Sequence, residues 1–493
     1  MSELLKKSRE YESEFEQTIS EEEKPFFHLA PRIGWMNDPN GFSYYNGEYH
    51  LFYQYHPYDT VWGPMHWGHS TSKDLIHWMD LPAAIAPDES FDKDGCFSGS
   101  AIELGDGKQL LMYTGVKKIA DNEGNISEFQ TQCVAIGDGR DYIKNKNNPV
   151  IDSDMLPEGV SKVDFRDPKI WMEDDTFYCV VASRTEDWDG QLLLFSSEDA
   201  VSWKFEKILV KNNHRFGTMW ECPDYFELDG KKIVITSPME MLTEGYEFTN
   251  GNGTLCLIGH STEDGTFEYE NFQSVDYGID FYAPQTMLSK DGRRIMIAWM
   301  QNWDTISYRS KDTKWFGQMT LPRELSVRAG KLIQQPVREI ESLYGEKIEK
   351  SNVIINKNCE IEGINGRLLD MTVRIRPADD GFEKFKIRLA ENDLLYTSIS
   401  YDAINSLVEM DRRHCGCRKA VVNTSCCKVR DNDREVTLRI IMDRYSIEIF
   451  VNDGEQVMSM AIFTDLDADK ISFSAKGQAF ADVCMHRLEE KNR

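Results

Sequence analysis

From about residue 26 onward, polar and apolar positions alternate in short runs that are interrupted by pairs such as Asp-Gly and Asn-Gly. Alternation with a period of two is typical of half-buried β-strands, and Asn or Asp followed by Gly is the usual chemistry of a tight hairpin turn. The pattern therefore predicts an all-β protein built from hairpins. Residues 1–25 are mostly charged with scattered apolar positions, and this predicts a surface helix or a frayed arm.

The hairpin signals recur at a nearly constant spacing. The first kind of signal is centred on Gly47, Gly107, Asp175, Gly230 and Gly292, which are 60, 68, 55 and 62 residues apart. A second kind, an Asp followed three or four residues later by an aromatic residue, lies between them at Asp74, Asp138, Asp199 and Asp264. Two hairpins per unit predict a four-stranded antiparallel unit, and five units predict a five-bladed β-propeller. A long β-sandwich is the alternative, but it gives the hairpins no reason to recur.

The last third of the chain alternates without this period. A short helical linker is expected around residues 334–343, and alternation resumes at residues 368–376, 383–389, 435–442 and 445–451. These stretches predict a second all-β domain, most simply a β-sandwich. The predicted organisation is a charged arm over residues 1–25, a propeller over 26–335, a linker over 336–348 and a sandwich over 349–493.

Composition narrows the classes of partner. With 493 residues the chain is expected to form two or three domains. Its 56 basic and 83 acidic residues give a net charge of -27, which argues against nucleic acid or an anionic membrane as a partner. Neither a secretory signal pattern nor an apolar run of about 18 residues is found, and we expect a cytoplasmic protein.

The cysteines favour reduced thiols over a disulfide framework, because the eleven are odd in number and scattered. One cluster could suggest a metal site, and it comprises His414, Cys415, Cys417, Cys426 and Cys427. Its spacings do not match the usual zinc-binding patterns. We therefore expect no metal and no other cofactor.

Carboxylates recur at one position of the repeat. Counting back eight or nine residues from each first hairpin turn reaches Asp38, Ser98, Asp167, Glu221 and Ala283. In a propeller the first strand of each blade lines the central channel, so equivalent strand starts converge at one end of the axis. Three acids that meet there would repel one another and shift in pKa, as a catalytic site requires. The alternative is that the acids are structurally inert residues at the blade starts.

The residues around these acids suit a sugar. Candidates for flat contact with sugar rings are Trp35, Trp62, Trp67, Phe97, Trp220 and Trp299. Candidates for directional hydrogen bonds are Asn37, Gln54, Ser98 and Arg166. Two carboxylates that flank a glycosidic bond can hydrolyse it with retention or inversion, depending on their separation. The sequence predicts that they converge but leaves that separation open.

Six ordered motifs resemble those of the β-fructofuranosidases of glycoside hydrolase family 32. They are WMNDPNG at 35–41, WGPMHWGH at 62–69, FSGS at 97–100, FRDPKIW at 165–171, ECPD at 221–224 and YAPQ at 282–285. DRYSIEIFVNDG at 443–454 is similar to the sandwich domain of that family. The resemblance covers nearly the whole chain from about residue 26.

The resemblance implies a role for each matching residue. Asp38 would be the nucleophile that forms a covalent fructosyl-enzyme, and Glu221 the acid and later the base. Asp167, beside Arg166, would hold fructose hydroxyls as the transition state develops. The positions matching the fructose subsite are Asn37, Gln54, Trp62, Phe97 and Ser98. The implied mechanism requires no metal or organic cofactor.

Three other functions remain open: an inverting arabinan-type hydrolase, a fructosyltransferase and a non-catalytic carbohydrate-binding protein. The expected partner is a small sugar, either sucrose, sucrose 6-phosphate or a short fructo-oligosaccharide. The candidates for binding a phosphate are His66, His69, Lys162 and Arg184. A homodimer contact through the arm or the sandwich also remains open.

Overall fold

The computed structural model describes residues 1–120, 123–308, 313–416 and 421–490. The charged arm forms a helix, α1 (Glu3–Phe15), followed by short 3-10 helices at Glu16–Thr18 and Glu21–Glu23. The side chain of Ser2 caps the helix by accepting a hydrogen bond from the backbone N–H of Leu5 at 3.2 Å. In the described ranges no helix is long and apolar enough to cross a membrane.

Five sheets form the five blades of a propeller, as predicted. Blade one contains β1 (Gly34–Tyr45), β2 (Glu48–His56), β3 (His66–Ser72) and β4 (Trp78–Ile85). Blade two contains β5 (Gly95–Glu103), β6 (Gln109–Ala120), β7 (Ile126–Gly137) and β8 (Tyr142–Lys144). A 3-10 helix at Ser153–Met155 precedes blade three, with β9 (Val160–Glu173), β10 (Thr176–Thr185), β11 (Gly190–Ser197) and β12 (Trp203–Lys211).

The last two blades complete the ring. Blade four contains β13 (Trp220–Leu228), β14 (Lys231–Pro238), β15 (Leu255–Ser261) and β16 (Phe267–Ser274). Blade five begins with β17 (Tyr282–Leu288) and β18 (Arg294–Trp299), and after β19 (Trp315–Phe316) it ends with β20 (Arg323–Arg328) and β21 (Lys331–Pro336). Strand β19 pairs in parallel with β1, so a segment from blade five joins blade one. The five first strands, β1, β5, β9, β13 and β17, contact one another in a closed ring around the axis.

Both kinds of predicted hairpin signal lie in turns. The first kind falls between the first and second strands of each blade, where Asn46 and Gly47 of blade one both have positive φ. In the second kind the aspartate accepts backbone hydrogen bonds within the turn. Asp199 Oδ1, for example, accepts from the N–H groups of Val201 and Ser202 at 2.8 and 2.6 Å. This local bonding explains why the signal could be recognised from sequence.

The C-terminal domain is a β-sandwich, as predicted, built on two long strands. Its strands are β22 (Tyr344–Ile355), β23 (Cys359–Asn365), β24 (Leu369–Glu391), β25 (Thr397–Asp402), β26 (Leu407–Asp411), β27 (Thr424–Lys428), β28 (Val436–Asp443), β29 (Ser446–Val451), β30 (Gln456–Ala461) and β31 (Lys470–Leu488). Strands β24 and β31 pair along their length with a register shift near Pro377. One half of this pair carries β22 and β28 to β30, and the other carries β23 and β25 to β27.

The predicted linker, residues 336–348, contains a 3-10 helix at Arg338–Leu343 and the first residues of β22. Its helix buries Ile340 and Leu343 in a cluster that also includes Ile441 and Phe450 of the sandwich. The connection between the two domains is therefore packed against both of them.

A buried network of charges joins the two domains. The ring of His28 lies 2.9 Å from Asp443 and 2.9 Å from Glu448, and Arg323 donates to Glu448 and to Asp276. Burial alone would lower the pKa of His28, but its hydrogen bonds to the two carboxylates raise that pKa to about 9. The imidazolium and the guanidinium thus pair with three buried carboxylates from both sides of the interface and offset two of their three charges.

We predict that Glu448→Gln strongly destabilises the protein. The variant leaves Arg323 and His28 with fewer acceptors in a fully buried place, and removing one partner of such a network costs about 3–5 kcal/mol. Chemical denaturation would measure the change in the free energy of unfolding. The matched control is Glu435→Gln, which removes a pair with half-exposed Arg374 and should change the free energy of unfolding far less. Equal losses in the two variants would contradict the prediction.

Candidate active site

A cavity of about 280 Å³ lies where the first strands begin, at one end of the propeller axis. The structure brings all the sequence-predicted site residues together there: Asn37, Asp38, Gln54, Trp62, Phe97, Ser98, Arg166, Asp167 and Glu221. Four further lining residues were missed from sequence: Glu128, Gln130, Asp164 and Trp303. Three of these lie on β7 and at the start of β9, and Trp303 follows β18, so no hairpin signal marked them.

A β-bulge interrupts each first strand at this end of the propeller axis. In β1, for example, Asn37 and Asp38 together lie opposite the single residue Gln54, and similar register shifts occur in β5, β9, β13 and β17. A regular strand points consecutive side chains to opposite faces, whereas a bulge can turn two neighbours toward the same side. The bulges therefore allow consecutive residues to line one cavity.

The structure corrects the predicted equivalence of Glu221 with Asp167. Asp167, Cys222 and Ala283 each precede a proline and each have positive φ, of 62°, 49° and 52°. Cys222 is thus the residue of blade four equivalent to Asp167, and Glu221 is equivalent to Arg166. The count from the hairpin turns missed the blade-four residue by one because it allowed eight residues in blade three and nine in blade four. The register of β1 likewise makes Asn37, rather than Asp38, the equivalent of Asp167.

The carboxylate of Asp38 is buried and held on one oxygen. Its Oδ2 accepts a hydrogen bond from Ser98 Oγ at 3.0 Å and lies 3.6 Å from Cys222 Sγ, which is also 3.6 Å from Asp167 Oδ2. Burial raises the pKa of the Cys222 thiol, so the group remains a donor to these carboxylates. Within the described ranges Asp38 Oδ1 is buried without a hydrogen-bond partner. It is the oxygen that remains available to a ligand.

Burial and mutual repulsion shift the pKa values of two of the acids. Burial raises the pKa of Asp38 to about 6, and the charge of Glu221 adds to the effect. Burial also raises the pKa of Asp167 to about 7, although the charge of Arg166 opposes this increase. Asp167 is anchored by the backbone N–H of Cys222 at 2.9 Å. The convergence of acids has the electrostatic consequence expected from sequence.

Both oxygens of Glu221 are held by residues of the neighbouring blades. Arg166 donates to Oε1 from Nε and a terminal nitrogen at 3.0 and 2.8 Å, and Tyr282 donates its hydroxyl to Oε2 at 2.6 Å. Arg166 also pairs with Asp164 at 2.8 Å. Arg166, Glu221 and Tyr282 precede the bulge residues of three consecutive blades, so the fold itself aligns them.

Only two of the six aromatic residues predicted to contact a sugar line the cavity. Trp62, with 41% of its surface exposed, and Phe97 line it with ring centroids 6.0 Å apart. The other four candidates, Trp35, Trp67, Trp220 and Trp299, are at most 2% exposed and belong to the hydrophobic core. Trp303 replaces them at the cavity, where its ring stacks on that of Trp35. Bulky residues next to the inner strands pack between blades, and sequence alone does not separate them from lining residues.

The residues considered for binding a phosphate are not grouped at the cavity. His66 and His69 are buried in blade one, and burial lowers the pKa of His66 to about 4. Lys162 is exposed and does not line the cavity. Arg184 pairs with Asp164 at 2.6 Å and stacks on Trp188 at 3.7 Å.

The cluster considered as a metal site is not assembled in the described part of the chain. Cys417 lies outside the described residues, and Cys426 and Cys427 are neighbours on β27. Cys427 is buried in the sandwich core. Among the residues that the structure describes, no group of three or more His, Cys, Asp or Glu side chains could hold a metal ion.

Comparisons with known proteins agree with this geometry. A model described as the Glycosyl hydrolases family 32 N-terminal domain matches residues 28–336, and one described as Glycosyl hydrolases family 32 C terminal matches residues 339–487. The raffinose invertase of Escherichia coli is 37% identical over 458 residues, which cover 92% of this chain and 93% of that protein. The sucrose-6-phosphate hydrolase of Bacillus subtilis is 32% identical over 471 residues, 94% of each chain.

Solved structures of similar proteins share the whole architecture. The GH32 beta-fructofuranosidase of Bombyx mori has a TM-score of 0.83 with 32% identity, covers 98% of each chain, and has been solved as a mutant in complex with sucrose. The sucrose-6-phosphate hydrolase of Lactobacillus gasseri has a TM-score of 0.85 with 26% identity, over 97% of this chain and 96% of that one.

The raised pKa of Asp38 predicts that ionising this buried acid weakens the fold. The folded chain holds the proton more tightly than the unfolded chain, so the free energy of unfolding falls as the pH rises through the window between about 4 and 6. Above that window the cost is about 3 kcal/mol. Asp38→Asn should therefore raise the Tm at about pH 8 by several degrees, with a difference that disappears near pH 4.

Asp199→Ala provides a control of opposite sign. The backbone N–H of Ser202 and other turn donors lower the pKa of Asp199 to about 2, so its ionised form stabilises the fold. This variant should lower the Tm near pH 8. An Asp38→Asn protein with an unchanged or lower Tm at that pH would contradict the prediction, and thermal unfolding followed by circular dichroism would decide.

Proposed function

The chain belongs to glycoside hydrolase family 32, and we propose that it hydrolyses the terminal β-D-fructofuranosyl bond of sucrose and of short fructo-oligosaccharides with retention. The observation that carries the proposal is the arrangement of two acids in one cavity. Asp38 has one oxygen available to a ligand, while Glu221 is held by Arg166 and Tyr282. We assign this reaction to the propeller, residues 26–335.

In the first step Asp38 Oδ1 attacks the anomeric carbon of the fructosyl unit. The bond from that carbon to the glycosidic oxygen breaks, and Glu221 gives its proton to the departing oxygen. The products are a free leaving sugar and an ester between fructose and Asp38. Ser98 and the Cys222 thiol donate to the other oxygen of Asp38, which keeps the carboxylate oriented for attack.

In the second step Glu221, now a carboxylate, removes a proton from a water molecule. That water attacks the anomeric carbon, and the ester bond to Asp38 breaks to release fructose and restore both acids. Two inversions at the same carbon give net retention. The hydrogen bonds from Arg166 and Tyr282 hold the side chain of Glu221 in one position for both steps.

We assign Asp167 to stabilising the transition state. Its Oδ2 is fixed by the backbone of Cys222, and it lines the same cavity as Asp38. A carboxylate there can accept hydrogen bonds from fructose hydroxyls and offset the positive charge that develops on the ring in an oxocarbenium-like transition state. Trp62 and Phe97 offer apolar faces to the sugar, and Asn37, Gln54 and Arg166 supply further hydrogen-bonding groups.

Sucrose 6-phosphate is the second candidate substrate, because several of the curated relatives are named sucrose-6-phosphate hydrolases. We favour sucrose because two basic groups close to the cavity are already engaged. Arg184 pairs with Asp164, and Lys118 pairs with Glu128 at 3.4 Å. A fructosyltransferase would use the same intermediate with a sugar as the acceptor, so longer products must also be sought. The cytoplasmic location stays a prediction.

The central test measures fructose release from sucrose, sucrose 6-phosphate, kestose and inulin. We expect the largest kcat/KM on sucrose or kestose and a loss of about three orders of magnitude or more in Asp38→Asn. NMR should show the β-anomer of fructose as the first product, whereas the α-anomer would indicate inversion. Glu221→Gln should retain activity only on a fructoside whose phenolate leaving group needs no proton.

The matched control for these variants is Glu268→Gln, an exposed carboxylate on β16 of blade four, which should leave kcat/KM unchanged. More than a few per cent of normal activity in Asp38→Asn would refute its role as nucleophile. A dominant kcat/KM on sucrose 6-phosphate would keep the mechanism and replace the preferred substrate.

The pH profile tests the state of Asp38 separately. The nucleophile must be ionised, so kcat/KM should fall as the pH drops through about 6. Ser98→Ala removes the hydroxyl that donates to Asp38 Oδ2, which should raise the pKa of Asp38. The acidic limb of the profile, where kcat/KM falls, should then move to higher pH by on the order of one unit. Ser100→Ala, whose hydroxyl bonds only the backbone of β9, should not move the limb. A limb unmoved by Ser98→Ala would contradict the assignment.

A further inference from the structure

The opposite mouth of the propeller axis contains a second cavity, which we call the far cavity. Its volume is about 560 Å³, and all five first strands contribute to its lining through the halves that lead away from the carboxylates. The lining includes residues 42–44 of β1, 101–103 of β5, 169–173 of β9, 224–227 of β13 and 286–288 of β17, with Lys232 and Arg294 from second strands. None of these residues lines the active-site cavity.

Three buried polar atoms in the far cavity have no hydrogen-bond partner within the described ranges. They are Asp224 Oδ1, Thr286 Oγ1 and Arg294 Nε. Asp224 is 0% exposed and Thr286 is 1% exposed. Leaving a buried polar atom unpaired costs about 1–3 kcal/mol, so such atoms require an explanation, and three in one cavity point to a ligand.

The groups that carry these atoms are held in place. Lys169 Nζ donates to Asp224 Oδ2 at 3.1 Å and to the carbonyl of Thr286 at 2.6 Å, and the N–H of Thr286 donates to the same Oδ2 at 2.7 Å. The guanidinium of Arg294 lies over the ring of Phe226 at 4.5 Å. The far cavity thus presents a fixed acceptor, a hydroxyl and a fixed donor, which is a preorganised polar surface.

The charges select the class of ligand. Four carboxylates and three cationic groups line the far cavity, so its charges nearly balance and favour neither an anion nor a cation; they are Glu103, Glu173, Asp224, Glu227, Lys169, Lys232 and Arg294. A neutral molecule with many hydroxyl groups can donate to Asp224, exchange hydrogen bonds with Thr286 and accept from Arg294. Trp171 and Tyr225, whose rings meet edge to face at 5.7 Å, add partly exposed aromatic surface at the wall. Apolar walls with a few convergent polar groups are typical of small-molecule sites.

We propose that the far cavity binds a neutral mono- or disaccharide, as a second sugar site distinct from the catalytic one. The proposal does not depend on the assignment of the catalytic acids. The two sites nevertheless share strands, because Lys169 follows Asp167 by two positions on β9 and Asp224 follows Glu221 by three positions on β13.

Methionine methyl groups offer a separate reporter for each cavity. Met172 and Met287 line the far cavity, and the sulfur of Met239 lies 3.7 Å from Arg166 at the active site. We would label the methionine methyl groups of the Asp38→Asn protein with ¹³C and titrate it with sucrose, glucose or fructose. We expect saturable shifts of the Met172 and Met287 signals with at least one of these sugars.

Two variants and one matched control locate the effect. Thr286→Val and Arg294→Leu, each in the Asp38→Asn background, should abolish the shifts of Met172 and Met287 and preserve any shift of Met239. Thr71→Val is the control, because Thr71 Oγ1 is also buried and unpaired within the described ranges but does not line the far cavity. Melting temperatures within a few degrees of the parent would show that the variants fold.

The outcomes separate this proposal from the catalytic one. Met172 and Met287 signals that stay unchanged with all three sugars, or shifts that survive Thr286→Val, would overturn the second site. Shifts with inorganic phosphate in place of the sugars would overturn its assignment to a neutral ligand. A sucrose-induced shift at Met172 and Met287 without one at Met239 would support the far cavity and count against the proposed catalytic function.

Discussion

The β-bulges in the five innermost strands are the constraint on which the active site depends. Regular strands would point alternate residues toward the axis, and Asn37 and Asp38, or Arg166 and Asp167, would then face opposite ways. Because each strand is interrupted at the same end of the axis, both members of these pairs line one cavity. The positive φ of Asp167 and Cys222 belongs to this irregularity. Backbone strain of this kind is tolerated where the surrounding sheet holds it in place.

Bringing three acids together in a buried place has an electrostatic cost, which the structure partly offsets. The raised pKa values of Asp38 and Asp167 record the cost, since burial makes it harder to charge either group. Arg166 offsets part of it through its two hydrogen bonds to Glu221. The same grouping that weakens the fold supplies the unpaired oxygen and the fixed carboxyl group that the proposed mechanism uses, which is a common relation between stability and activity.

The cavities at the two ends of the propeller axis are formed in the same way, by the ends of the first strands, but they contain different polar groups. Four of the five first strands, β1, β5, β9 and β13, contribute residues to both mouths, so one set of sequence repeats creates two convergent sites. The mouth proposed to be catalytic contains the carboxylates and Arg166, and the far cavity contains Asp224, Thr286 and Arg294. The sandwich stands apart from both, and the buried network around His28, Arg323 and Glu448 fixes it to the propeller. This network and the hydrophobic cluster around Ile340 and Phe450 together hold the two domains in their relative position.

The number of blades, the hairpin turns and the convergence of Asp38, Asp167 and Glu221 could all be predicted from the amino-acid sequence. These features arise from local turn chemistry and from a repeat, and both can be recognised in the order of residues along the chain. The sequence also predicted the sandwich, although the strand β22 begins within the stretch expected to be linker. The motifs also indicated the family, which the comparisons confirm. They implied roles for the three acids, and those roles remain proposals.

The contacts that each residue at a bulge makes could be read only from the folded chain. Folding made Cys222 the equivalent of Asp167, buried Trp35, Trp67, Trp220 and Trp299, and brought Glu128, Gln130, Asp164 and Trp303 to the cavity. The far cavity likewise became visible only in three dimensions. The physical reason is that burial and orientation depend on the packing of neighbouring blades, whose contacts join residues far apart in the chain.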